Sequence, residues 1–528
     1  MMKTHHAGFL FAVLAQLSLA CSDGGEGSNA PSAGAAGNHS GSAGAAGSGA
    51  SQHGAGEAGQ GDGAGSAGRS SSDGDAVEAS AGEANAGEAN AGDSAGSAGT
   101  PNGGVPAARF FLPTGEPDNT AAPSIEVDAQ GGTHAVYPAY AGGNAYYAYC
   151  AADCRGQSDV KVVMLPTDGT VANAMLALDS SGHPRVLLSS FQKAYYASCD
   201  SACATVSGWK VNEILDHGGD REISGEALAL DPNGHPRFLM HTYRAYLGIG
   251  QKPPRTWYAT CDSACDDAAS WSYSEIAQEI WEGTTLRFDR SGGAHIATVI
   301  DFNDGDQAGQ KLAAYLECVA TSAGACTGKD DWNGIGFLKP YESDAEAVSM
   351  KPTVSLALTH AGAPRVVALG ANGDNPKNII YYQCDQDCTH DHWQGAVVSN
   401  HDQIDAGLDL ALDANDHPRL VYTLDYNIGL AYCDSEPCGG PSANWDLTKV
   451  ELSGDIPPDE IFLWQNCTVA AWFLHSPSIA LTKDGKPRVG YQARDVSGGT
   501  SLPDPTKPAC RAGTDMTWSR LSLMTSYK

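Results

Sequence analysis

A segment that recurs seven times constrains this chain more than any other feature. An apolar run, an Asp-x-x-Gly turn or a variant of it, and a second apolar run that usually opens with Pro-Arg read as VDAQGGTHAVY from Val127, LDSSGHPRVLL from Leu178, LDPNGHPRFLM from Leu230, FDRSGGAHIAT from Phe288, LTHAGAPRVVA from Leu358, LDANDHPRLVY from Leu412 and LTKDGKPRVGY from Leu481. Self-similarity of this kind marks a repeat architecture, in which a single unit cannot bury its apolar faces alone. Equivalent turn positions lie 51, 52, 58, 70, 54 and 69 residues apart, so the connecting loops vary in length.

Each unit continues to a third strand ending in Cys and a fourth that usually opens with Trp. The second repeat shows all four: Ala174 to Leu178, Arg185 to Ser189, Ala194 to Cys199 and Trp209 to Leu215. Four short strands with turn signals between them predict an antiparallel meander. Packing such sheets radially covers their faces and leaves only short edges. The expectation is an all-β, seven-bladed propeller with repeats starting near residues 123, 174, 226, 284, 353, 408 and 478. The last repeat is expected to end in its own fourth strand, Trp518 to Met524. Over residues 123–528 the chain resembles the secreted seven-bladed β-propellers of bacteria, an architecture that hosts many unrelated functions.

The recurring residues have structural roles. Asp179, Asp231, Asp289 and Asp413 stand three residues before the turn glycine, or before its stand-in Asp416, where a carboxylate accepts turn amide hydrogens. Arg185, Arg237, Arg365, Arg419 and Arg488 fall opposite on the hairpin, suited to cross-strand charge pairs; two repeats carry His134 and His295 instead. Trp209, Trp271, Trp332, Trp393, Trp445 and Trp518 are expected to form blade-to-blade core.

The N-terminus sets the compartment. Residues 1–20 read as a signal peptide, with Lys3, an apolar run from Ala7 to Leu17 too short to span a bilayer, and then Leu19-Ala20-Cys21. This junction resembles the lipobox of bacterial lipoproteins, with Ser18 where that family usually has Leu. The resemblance implies lipidation at Cys21, and Ser22 after it resembles the signal for sorting to the outer membrane, facing either the periplasm or the cell surface. Residues 21–104 follow as the lipidated cysteine and a Gly/Ala/Ser tether without aromatic residues, unable to build a core. As a flexible coil it spans on the order of 50 Å. The propeller domain takes residues 105–528.

Fourteen further cysteines agree with export. Twelve form local pairs, Cys150 with Cys154, Cys199 with Cys203, Cys261 with Cys265, Cys318 with Cys326, Cys384 with Cys388 and Cys433 with Cys438, which leaves Cys467 to Cys510. Each short loop closed this way contributes about 2 kcal/mol. The pairs lie on different blades and most lack histidines at ligand spacing, so zinc is disfavoured.

Turn parity places the ligand face. The Asp-x-x-Gly turns and the cysteine turns share one short, repetitive face; the opposite face gathers the second-to-third-strand loops and the blade crossovers, which are long and dissimilar, and specificity usually resides in such loops. Candidate ligand residues there are Tyr243, Tyr246, Phe462, Trp464, Trp472 and His475, either as a stacking platform or as an apolar plug over the ring. Asp301, Asn303, Asp304 and Asp306 have oxygen ligands at calcium-like density but not the spacing of a calcium loop. No cofactor is expected beyond such a structural calcium, and no catalytic residue stands out. Residues 105–528 hold 52 acids and 29 bases, a net charge of -23, which disfavours nucleic acid as partner. The reading is a monomeric binding or scaffolding module for a glycan or protein, held at the membrane by its lipid. The alternative is a glycan-active hydrolase or lyase.

Overall fold

The computed structural model describes residues 108–527 apart from loop segments, the longest being 244–254, 303–309, 319–325, 341–352 and 502–516. The signal peptide, Cys21 and the tether lie outside the described residues. Six contiguous stretches each form a four-stranded antiparallel sheet in sequence order. These blades run from Ser124–Val127 to Lys161–Leu165, Asn173–Leu178 to Lys210–Asp216, Glu222–Leu230 to Ser272–Gln278, Thr285–Phe288 to Asn333–Leu338, Val354–Leu358 to Gln394–Ser399, and Ile404–Leu412 to Asp446–Glu451.

The seventh blade corrects the expectation about the chain's end. Its first three strands are Trp472–Leu481, Pro487–Asp495 and Thr517–Leu523, and its fourth is Ala108–Phe111 from the other end of the domain. Trp518 therefore sits in a third strand, not at the opening of a fourth. Pairing runs from Ala108 with Leu523 to Phe111 with Arg520, so the chain termini share one sheet. The innermost strands of neighbouring blades contact one another all the way round, blade seven touching blade one, which closes a seven-bladed propeller.

Closure is secured by a buried network. Arg520, 1% exposed, donates from Nε and Nη2 to the two carboxylate oxygens of Glu451 at 2.6 and 2.7 Å, and from Nη1 to Glu460 at 2.6 Å. Its guanidinium lies over the Phe111 ring, 4.5 Å from the centroid, and the Tyr491 hydroxyl donates to Glu451. Strands from blade six, blade seven and the N-terminus thus meet at one cation.

Elsewhere the repeats explain the packing. Trp209 meets Tyr147 of the preceding blade at 4.7 Å, and Trp332, Trp393 and Trp445 meet Tyr258, Tyr315 and Tyr381 at 5.6, 5.1 and 5.1 Å. In four blades the indole N–H donates to the carbonyl of the second cysteine, as from Trp209 to Cys203 at 2.9 Å, so the ring is fixed while it fills the seam. All six local disulfides form as paired in the sequence, which removes those cysteines as metal ligands. Cys467 lies in a small sheet of Phe462–Leu463, Cys467–Thr468 and Thr500–Ser501; Cys510 falls outside the described residues.

Candidate functional site

On the short-turn face, the turn residue of each repeat does what its chemistry predicts. Asp128, Asp179, Asp231, Asp289 and Asp413 each accept two turn amides through Oδ1, and Thr359 and Thr482 accept one through the hydroxyl. The turn glycines have positive φ, and Asp416 holds the same backbone at φ 62°. The cross-strand pairs form as well: Arg185 with Asp179 at 2.8 Å, Arg237 with Asp231 at 2.9 Å, and Arg419 with Asp413 at 2.6 Å. Where histidine replaces arginine it reaches the same carboxylate, His134 to Asp128 at 3.2 Å and His295 to Asp289 at 3.4 Å.

A further acid on four of the five arginines was missed in the sequence; Arg365, whose turn residue is Thr359, has this acid alone, and among the described residues Arg488 bonds only the carbonyls of Pro487 and Met524. The aspartate after the third-strand cysteine bonds each of the four, Asp200, Asp262, Asp385 and Asp434 at 2.7, 2.5, 2.8 and 2.7 Å. The recurring Cys-Asp pair was its signal. Asp179, His183 and Asp200 converge closely enough to suggest a metal site. Arg185 bonds both carboxylates, so the positive charge a cation would bring is already in place.

The axis departs from repetition. Two residues before each turn residue, the innermost strands carry Glu126, Ala177, Ala229, Arg287, Ala357, Ala411 and Ala480: five alanines, one acid and one base. The first four line a pocket of about 430 Å³ whose rim includes Asp128, Asp179 and Ser180, so it opens on the short-turn face. Burial pushes the Glu126 carboxyl up to about 7, with Arg287 pulling it down and Asp409 pushing it further up. Two residues further along the innermost strand of blade six, Asp409 is fully engaged. Its Oδ1 accepts from the Ser355 hydroxyl at 2.8 Å and the Leu410 amide at 2.9 Å, and Oδ2 from the Ile479 amide at 2.9 Å, which ties blades five, six and seven together.

On the long-loop face several candidate residues lie beyond description. Tyr246, Trp464, Asn303, Asp304 and Asp306 are outside the described residues, and Tyr243, Asp301 and Phe462 are placed only as strand backbone. Two candidates are corrected by their burial. Trp472 packs against Phe111 and Trp518 at 5.2 and 5.4 Å inside the seam of the closing blade, and His475 is fully buried. Trp472 is apolar and adjoins the N-terminal strand, whose phenylalanine it covers.

The neighbouring aromatic pair is more open. Tyr426 and Asp425 form a two-residue hairpin loop between Leu424 and Asn427. Both have left-handed backbones, φ 64° and 45°, at positions that favour Asn-Gly. Tyr426 is 50% exposed, its ring meets Phe473 edge-on at 5.0 Å, and its carbonyl accepts from the Leu474 amide at 3.1 Å. Nothing in the repeat pattern points to Tyr426, which the sequence reading passed over.

No protein-family profile matches the sequence, and no curated protein matches it. Among solved structures the chain is similar to polysaccharide lyase Uly1, with 10% identity and a TM-score of 0.44 over 81% of this chain and 94% of that one. It is similar also to an ancestral GH74 enzyme (10% identity, TM-score 0.41, 74% of this chain and 47% of that one) and to the α-L-arabinofuranosidase Arb93A from Fusarium graminearum (12% identity, TM-score 0.37, 69% and 96%). The assignment as a seven-bladed propeller rests on the strand pairing.

Proposed function

We propose that the chain is a lipid-anchored envelope protein whose propeller binds a neutral glycan through its long-loop face. The observation that carries this reading is Tyr426, an exposed aromatic ring held by a strained two-residue turn and propped on Phe473. Left-handed backbone at a bulky residue costs free energy and persists where surrounding structure imposes it, and such positions cluster at ligand sites. A ring fixed in this way stacks on a sugar face with little further loss of side-chain entropy. The domain's net charge of -23 argues for a neutral ligand over an acidic one.

Glycoside hydrolysis usually relies on two carboxyl groups flanking the scissile bond. Among the described residues that line the axial pocket, Glu126 alone has a carboxyl without a hydrogen-bond partner; Asp409, which faces Glu126 from outside that lining, has both oxygens occupied. Binding is therefore the better-supported reading.

The test is retention on immobilised neutral oligosaccharides. Tyr426→Ala should reduce retention roughly tenfold, about 1.4 kcal/mol, with the melting temperature nearly unchanged, since alanine keeps the same backbone and only the edge contact with Phe473 is lost. Retention of the variant at wild-type strength would refute the platform, and capture of a protein instead of a glycan would move the ligand class. Cys21→Ser should release the chain from membranes; continued membrane association would refute the lipid anchor.

A further inference from the structure

We propose that the axial pocket on the short-turn face is a second binding site, for a compact zwitterion of the α-amino-acid type, with its ammonium against Glu126 and its carboxylate against Arg287. The site is separate from the long-loop face and does not depend on the reading given for that face.

The argument starts from the innermost ring. Five of seven equivalent positions are alanine, which fits a ring that only has to close on itself. The two exceptions have opposite charge, and they stand in blades one and four with Ala177 and Ala229 between them. The alanines leave the space, and the charges mark its two ends.

The acids at the pocket rim are already engaged. Asp128 accepts two turn amides and faces His134; Asp179 accepts two turn amides and pairs with Arg185. The two charges within the pocket are different. No described group donates a hydrogen bond to Glu126, and the only bond of Arg287 runs from Nη1 to the backbone carbonyl of Leu286 at 2.9 Å. No ion pair within 4.0 Å joins the two side chains. Both are half-buried, and a partly desolvated carboxylate and guanidinium held apart carry a share of the cost of buried charge that a paired partner relieves.

A ligand carrying both charges satisfies both groups at once. A lone cation would leave Arg287 without a partner, and a lone anion would meet Glu126 and the acidic rim. A volume of about 430 Å³ lies at the small end of ligand pockets (~300–1,000 Å³), which suits a single amino acid or a short peptide terminus. The charged groups facing Glu126 are Arg287 from blade four and Asp409 from blade six. Since Glu126 titrates near neutrality, binding of an ammonium expels its proton, and affinity rises between about pH 6 and pH 8.

The experiment is calorimetric titration of the full chain with L-alanine, L-glutamate and glycylglycine, and with propionate and ethylammonium as singly charged controls. At least one zwitterion should bind roughly tenfold or more tightly than either control. Glu126→Gln and Arg287→Met should each weaken it roughly tenfold, the double variant should be little worse than either, and the pH dependence should vanish in Glu126→Gln. Ala229→Leu, which fills the pocket and leaves both charges in place, should abolish binding while the circular dichroism spectrum stays that of the parent. The proposal is overturned if the parent chain binds no zwitterion at about 10 mM, if the controls bind equally well, or if Ala229→Leu binds as the parent does. Glycan retention on the opposite face should be untouched by all three variants, so either reading can fail alone.

Discussion

The two faces of the ring are built from different kinds of residue. On the short-turn face the main polar side chains recur from blade to blade: a turn aspartate, a cross-strand arginine, an aspartate after the cysteine. On the long-loop side the notable groups occur once, as Tyr426 does in its turn and Arg520 in its buried network. A side chain repeated around the ring serves what every blade shares, and a side chain that occurs once answers a local demand, either closure of the ring or contact with something outside it. Glu126 and Arg287 break the pattern on the repetitive face itself. Departure from the repeat, more than position on one face or the other, is thus the guide to function.

The sharpest way to break this comparison is to remove one member of a unique network and one member of a repeated one. Arg520→Leu leaves Glu451 buried without its cation, and losing one partner of a buried pair costs about 3–5 kcal/mol. It also detaches the strand that receives Ala108–Phe111 from blade six. Urea unfolding should show the largest loss of midpoint of any single substitution considered. A loss below about 1 kcal/mol would mean that the ring closes without the clasp.

Glu126→Gln is expected to come next, with an effect that depends on pH. The folded carboxyl titrates near 7, above the ordinary 4.5, so ionisation opposes folding. The parent chain should lose stability as pH rises from about 4.5 to 7 and stay level above, whereas glutamine has no proton to lose. The variant should match the parent near pH 4.5 and exceed it at pH 8 by an amount bounded above by about 3 kcal/mol. Equal stabilities at pH 8 would show that the lumen hydrates the carboxylate.

Among the repeated residues the expected losses are small. Arg185→Ala removes contacts to Asp179 and Asp200, and Asp200 is largely exposed, so water replaces much of what is lost. About 1 kcal/mol is expected, measured by the same urea midpoint. A loss approaching that of Arg520→Leu would erase the distinction between repeated and unique groups.

What was legible in the sequence was local or repeated. The turn aspartates, the positive-φ glycines and the six short disulfides lie within a few residues of their partners, and seven copies made the strand pattern plain. The closing strand was not legible. Ala108–Phe111 is four residues long and follows a Gly/Ala/Ser-rich segment that offers no strand pattern to read, and its partner Thr517–Leu523 lies at the other end of the chain. The sign available was that the last repeat lacks a local cysteine pair, so its run from Trp518 belongs to a third strand; the tryptophan, which opens fourth strands elsewhere, misdirected the reading. The axial charges could have been found by aligning the seven repeats two residues before the turn, where Glu126 and Arg287 interrupt five alanines. Trp472 was misread because aromatic character alone does not say whether a ring faces solvent or a neighbouring strand.

The smallest expected effect concerns the turn under Tyr426, and its sign distinguishes a functional strain from an incidental one. Asp425 and Tyr426 occupy a hairpin loop whose left-handed backbone suits Asn-Gly, so Asp425→Asn with Tyr426→Gly fits the turn without strain. Glycine also loosens the unfolded chain, which offsets part of the gain, and the edge contact with Phe473 disappears. The net change should be a stabilisation of a few tenths to about 1 kcal/mol. Binding on the long-loop face should fall as far as it does in Tyr426→Ala. A double variant that is more stable and no longer retains glycan would show strain kept for binding, the counterpart on this face of the ionisation cost at Glu126. A double variant that is less stable and binds as before would make Tyr426 a packing residue, and the unique groups of the long-loop face would then serve closure alone.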